Sequence, residues 1–151
     1  MQVPAEGPVR ALLGEVTASA VPPFDLAGYH LESVSVGNPH AVAFVDDCYA
    51  VPVGAVGPIV EGDPHFPERT NVGFATVVSS RRLDLRVWER GVGETLACGS
   101  GAAAAAALAH RRGLTGPRVT VMLPGGPLEV EVEGARVWIE GPARAVFRGS
   151  M

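Results

Sequence analysis

Cysteine is scarce in this sequence: Cys48 and Cys98 are the only two among 151 residues. Two thiols so far apart in the chain exclude a disulfide framework and a cysteine-based zinc site, so each needs its own explanation. His30, His65 and His110 have no metal-ligand spacing with one another, and no metal is expected. Basic runs are missing as well. Twelve Lys and Arg face 16 Asp and Glu, a net charge of -4, and no stretch is basic enough to track a phosphate backbone, which argues against a nucleic-acid partner. No apolar run reaches the length of a membrane span, and the opening "MQVPAEGPVRALLGEV" lacks the charged-then-apolar order of a signal peptide. The expectation is a cytoplasmic protein with no membrane partner. The glycine-rich "GVGETLACGSG" fits neither the dinucleotide fingerprint nor the Walker lysine pattern, so no nucleotide cofactor is implied.

What is present suffices for a real core: 47% of the residues are hydrophobic, and the length suits one domain. Residues 1–28 read as an extended lead-in, punctuated by Pro4, Pro8, Gly14, Pro22 and Pro23, with at most a short strand near Val9 to Leu13. From Tyr29 onward the pattern sharpens. "YHLESVSV" and "AVAFV" are strands around the turn "GNPH", and the Pro- and Gly-rich segment from Cys48 to Pro67 leaves room for a helical turn and a loop. "VGFATVV" and "LDLRVWE" flank Ser79 to Arg82; Leu83, Leu85 and Val87 alternate with Asp84, Arg86 and Trp88, predicting a hairpin with one buried face.

One helix stands out, from about Gly99 to Arg112 and stopped by Gly113. Its interior is alanine on every side, so it must be enclosed. The strands "RVTVML", "LEVEVE", "RVWIE" and "ARAVF" follow as a meander. The reading is an α+β fold in which an antiparallel or mixed sheet wraps around a central Ala-rich helix.

Cys98 falls where a strand-and-loop segment hands over to that helix. Unpaired amides of the first helical turn and the positive end of the macrodipole favour a thiolate, predicting a lowered thiol pKa. Gly99, Ser100 and Gly101 put little side chain between those amides and a ligand, so a substrate carboxylate can dock beside the sulfur. Three polar loops complement it. "GNPH" offers Asn38 and His40 around a turn-fixing proline, "ERTN" offers Asn71 at a strand start, and "WERG" offers Glu89 and Arg90. Glu accepts from an ammonium and Arg forks onto a carboxylate, a pairing suited to an amino acid head group. Singly, each would be a solvated turn or surface ion pair; with Cys98 they suggest a zwitterion site. Cys48 has no comparable surroundings and reads as structural. A cysteine protease could nominate His40 as base, but no protease signature surrounds Cys98.

The strings "GNPHAVAFVDD", "GPIVEGDPHFPERTNVGF", "ERGVGETLACGSGAAAAA" and "LPGGPLEVEVEGARVWIEGPARAVFRG" resemble the carboxyl-terminal half of the diaminopimelate epimerase family, from about Val34 to the end. The resemblance implies a cofactor-independent epimerase of lysine and peptidoglycan synthesis, converting LL- to meso-diaminopimelate without pyridoxal phosphate. It makes Cys98 one of two catalytic cysteines on opposite faces of the substrate α-carbon. Asn38, Asn71, Glu89, Arg90, Gly99 and Ser100 match the family's substrate-binding positions, and His40 and Glu89 its thiol-tuning ones. The family carries its second cysteine in a "CGNG"-like loop of an amino-terminal domain, and Cys48 does not sit in such a motif. The expectation is therefore a domain at 29–151 carrying half an active site, completed by an amino-terminal partner domain or by a second copy in a homodimer. The alternative is a truncated, inactive binding or association module.

Overall fold

The computed structural model describes residues 8–142. The "ARAVF" strand expected beyond them lies outside the described residues. Eleven strands run as β1 (Pro8–Glu15), β2 (Thr17–Ala18), β3 (Phe24–Leu26), β4 (Tyr29–Ser35), β5 (Pro39–Phe44), β6 (Asn71–Ser79), β7 (Arg82–Glu89), β8 (Gly93–Thr95), β9 (Arg118–Leu123), β10 (Gly126–Glu133) and β11 (Arg136–Pro142). Helix α1 (Val53–Glu61) lies between β5 and β6, and α2 (Gly99–Arg111) between β8 and β9. The strands form one mixed sheet in the order β1-β11-β10-β9-β7-β6-β5-β4-β2, with β3 on β4 and β8 on β7. Among the described residues, only two pairs are parallel, β5 with β6 and β7 with β9. Each of those crossovers carries one of the two helices, as parallel pairing requires a long return path.

Two expected element assignments change. The lead-in is sheet: β1 pairs with β11 over its whole length through a bulge between Leu12 and Gly14, and β2 pairs with β4. Gly14, at φ +150°, accommodates that bulge, and the surrounding prolines and glycines hid the strand. Segment 53–61 is a full nine-residue helix rather than a turn, because Val53, Val56, Gly57 and Val60 fall at helical spacing on one buried face.

The sheet buries side chains on both faces. Val42, Leu83, Leu85 and Val87 join the cluster around α2, whereas Ala41, Ala43, Val72 and Phe74 join the cluster around α1. β7 is therefore not a strand with a single buried face: Asp84 is also buried, paired with Arg82, and Trp88 packs toward α1. Residues 101–109 of α2 are all buried, and the helix touches β1, β4, β5, β6, β7, β9, β10 and β11. The two ends of the sheet order are one stretch of chain, since only Val16 separates β1 from β2 and its N–H donates to Ala135 O at 2.7 Å.

Alanine is what lets so many strands approach one helix, so added bulk there has nowhere to go. Ala104→Leu is expected to destabilise the chain by about 2 kcal/mol or more, whereas Val78→Thr, at an exposed position of β6, should cost under about 0.5 kcal/mol. Urea unfolding of the two variants checks the contrast.

Candidate active site

The predicted polar residues gather at one end of the sheet because of its register. β5 and β6 run parallel with His40 opposite Asn71, and β7 runs antiparallel to β6, bringing its last residues back beside Asn71. Asn71 joins both neighbours: its Nδ2 donates to Pro39 O at 3.3 Å, and its Oδ1 accepts from the Arg90 N–H at 2.7 Å. Asn38 Oδ1 stands 3.1 Å from His40 Nε2. Asn38 and Asn71 are the chain's only asparagines, a rarity that sequence reading could have used. The turn ahead of β5 depends on Gly37, whose φ of +80° is a left-handed conformation that suits glycine.

Cys98 is the N-cap of α2, with extended backbone, and its Sγ accepts the Gly101 N–H at 3.3 Å and lies 3.6 Å from Ser100 Oγ. Gly101 keeps this approach close: a Cβ would crowd it, at 3.0 Å from Val87 Cγ2 and 3.2 Å from Cys98 Sγ. The lowered thiol pKa expected from the helix terminus is not found. Burial pushes the Cys98 thiol up, and the bonds from Ser100 and Gly101 pull it down only in part, while the Glu89 charge adds to the rise. Sequence position reveals the helix start but not the depth at which the sulfur lies. Burial likewise holds the His40 imidazole neutral, down to about 4, with the Arg90 charge acting in the same sense.

The segment bearing Glu89 and Arg90 has supports that sequence reading missed. Glu61, at the end of α1, accepts from Trp88 Nε1 at 2.8 Å and from the Gly91 N–H at 3.0 Å, and pairs with Arg69 at 2.6 Å. Arg69 holds φ +66°, an uncommon conformation for a residue with a side chain, two positions before Asn71. The only hint in the sequence is an acidic residue at a helix C-terminus, where the dipole disfavours it. Cys48, expected to be structural, is fully buried, its N–H bonded to Thr76 Oγ1.

The cavity beside Cys98 is small, about 90 Å³, and is bounded by Gly99, Leu123, Gly125 and Leu128. Ligand pockets begin at roughly 300 Å³. Val92 and Leu96, on the segment leading to Cys98, are 73% and 63% exposed. Among the described residues, no group of three His, Cys, Asp or Glu is arranged to hold a metal ion, and no helix is long and apolar enough to cross a membrane.

The mixed sheet with its two crossover helices is a fold shared with epimerases of known structure. The hydroxyproline epimerase of Agrobacterium vitis matches 89% of this chain and 49% of its own, at a TM-score of 0.68 and 15% identity. A phenazine biosynthesis protein of Enterococcus faecalis matches 85% and 41%, at 0.52 and 18% identity. Sequence is more specific. A family model described as diaminopimelate epimerase matches residues 32–146, and the chain belongs to that family. The diaminopimelate epimerase of Pelotomaculum thermopropionicum is 47% identical over 98% of this chain and 51% of its own length. That of Methylocella silvestris is 59% identical over 77% of this chain and 38% of its own. The chain thus spans about half the length of the curated relatives it matches, or less.

Because His40 is buried neutral, it binds a proton more readily in the unfolded chain, whose His titrates near 6.5. Its contribution to stability is complete above about pH 6.5, is lost as the pH falls through that value toward 4, and amounts to about 3 kcal/mol. Urea unfolding between pH 7 and 4 should therefore show a shallower loss for His40→Gln than for the native chain; parallel curves would exclude a neutral buried imidazole.

Proposed function

We propose that the chain supplies one face of a cofactor-independent epimerase site that converts LL- to meso-diaminopimelate, in lysine and peptidoglycan precursor synthesis in the cytoplasm. The observation that carries this reading is Cys98 at the N-terminus of α2, with Glu89, close enough for its charge to act on the thiol, on the neighbouring strand β7. In this reading the substrate carboxylate docks on the Gly99 and Ser100 amides, Glu89 receives the ammonium, and Arg90 takes a carboxylate. Asn38 and Asn71 line the same end, and His40 with Glu89 tunes the thiol. Cys98 exchanges a proton with one face of the α-carbon, and a second thiol acts on the other. The weakly acidic α-proton needs a dry site lined with donors to stabilise the developing carbanion.

The second thiol comes, in this proposal, from an amino-terminal half corresponding to the length of the relatives that this chain does not match. Residues 29–151, together with the strands that precede them, form the carboxyl-terminal half. The small cavity at Cys98 and the exposed apolar Val92 and Leu96 support this division, since a second body would cover both. The sheet wrapped around α2 forms the rigid base. Its support is the helix's contact with strands from across the sheet and the single residue between β1 and β2.

The test is incubation with LL-diaminopimelate in deuterated water, with the chain alone and completed by the unmatched half of a relative. α-Deuteration and epimerisation should appear in the completed protein, and Cys98→Ala should lower turnover at least about 1,000-fold, the scale of losing an essential proton-transfer group. Turnover by the chain alone would favour a homodimer. Absence of turnover in both mixtures would leave the inactive module.

A further inference from the structure

We infer that Glu61 is a positioning residue for this site, the clamp that sets the Trp88–Gly91 segment and with it the two residues, Glu89 and Arg90, that meet the substrate head group. The inference rests on the functional reading above and adds to it a residue outside the expected set. Glu61 is 4% exposed. A carboxylate so placed loses its hydration, and at the last residue of α1 it also faces the negative end of the helix dipole. What offsets this is a ring of donors from one short stretch of chain and its surroundings. Trp88 Nε1 donates at 2.8 Å, the Gly91 N–H at 3.0 Å, and the Arg69 guanidinium pairs at 2.6 Å. Trp88 and Gly91 flank Glu89 and Arg90, so one carboxylate grips both ends of the functional segment.

The ring of Trp88 is held from the same side. A Cβ at Gly57, one helical turn before Glu61, would stand 2.6 Å from Trp88 Cδ2, so α1 presents a bare patch for the indole and a carboxylate for its N–H. From the other side, Asn71 Oδ1 accepts the Arg90 N–H at 2.7 Å. Glu61 and Asn71 thus hold successive amides, those of Gly91 and Arg90. Arg69 links the two supports, since its guanidinium is on Glu61 and its left-handed backbone lies two residues before Asn71. Burial alone would raise the Glu61 carboxyl, but Trp88, Gly91, Arg69 and the nearby Arg90 together hold it below its usual range, so it acts as the anion.

Proton–nitrogen correlation spectra of the chain and of Glu61→Gln test the clamp without any assay of turnover. The chain has two tryptophans, so the indole region holds two cross-peaks. Glutamine keeps the shape but turns an NH₂ group toward a site built of donors. The Trp88 indole peak and the Arg90 and Gly91 amide peaks should move. In the protein completed by the unmatched half of the Pelotomaculum thermopropionicum relative, KM for diaminopimelate should rise about tenfold while kcat falls less than about threefold. Unmoved amide peaks, or moved peaks with an unchanged KM, overturn the inference. Should Glu61→Gln fail to fold, Arg69→Gln alters a largely exposed side chain and is expected to raise KM about threefold; an unchanged KM there overturns it equally. Turnover that Cys98→Ala abolishes, with KM unchanged by Glu61→Gln, defeats the clamp alone. A completed native protein that folds yet shows no turnover defeats the functional reading, and the clamp with it.

Discussion

The close approach of α2 to β7 at Gly101 is the constraint on which the rest of the structure depends. A Cβ on that residue would press on both Val87 and Cys98, at 3.0 and 3.2 Å. Because none is there, the first turn of the helix lies against the strand and the Gly101 amide reaches the sulfur. The same strand, two residues beyond Val87, carries Glu89, whose charge acts on the thiol. A packing requirement therefore fixes the electrostatic surroundings of Cys98. The alanines that follow extend the same logic along the helix, each one a side chain small enough to keep the sheet close.

Two buried groups at this end of the molecule are treated in opposite ways. Glu61 is buried and kept ionised, because three donors and a nearby guanidinium outweigh its desolvation. Cys98 is buried and kept protonated, because its amide and hydroxyl partners are too weak to offset the same effect. On the proposed reading, the difference suits the two roles. A clamp must hold one charge state to hold one geometry, whereas a group that exchanges protons must be able to occupy both states.

Much of this was legible in the chain's own pattern. Glycines followed by alanines, then Gly113, mark α2 to within a residue at its end, and alternation marks the strands from β9 to β11. Local pattern failed where tertiary pairing decided the matter. β1 is a strand because β11 lies beside it, despite Pro8, Gly14 and the prolines and glycines around it. α1 contains Gly54, Gly57 and Pro58, poor helix formers that its buried valine face overrides. Asn38, Asn71, Glu89 and Arg90 could be singled out as polar groups in turns, and the register of β5, β6 and β7 is what joins them. Glu61 escaped because its partners lie 8, 27 and 30 positions further along the chain. Burial depth, which reversed the expected shift at Cys98, is a property of the folded state that helix position alone does not carry.

On the proposed reading, the protonated state of Cys98 assigns it a first move. A resting thiol above the ordinary range cannot abstract a weakly acidic α-proton, but it can deliver one to a carbanion formed from the opposite face. A substrate carboxylate on the Gly99 and Ser100 amides would compete for the Ser100 amide, which now favours the thiolate, and would add negative charge beside the sulfur, reinforcing the protonated state. The substrate ammonium near Glu89 acts the other way, since it cancels the charge that raises the thiol. The head group thus brings both signs of correction into one site. The balance between them, set by how firmly the segment from Trp88 to Gly91 holds Glu89 in place, decides how readily Cys98 releases its proton and takes it back.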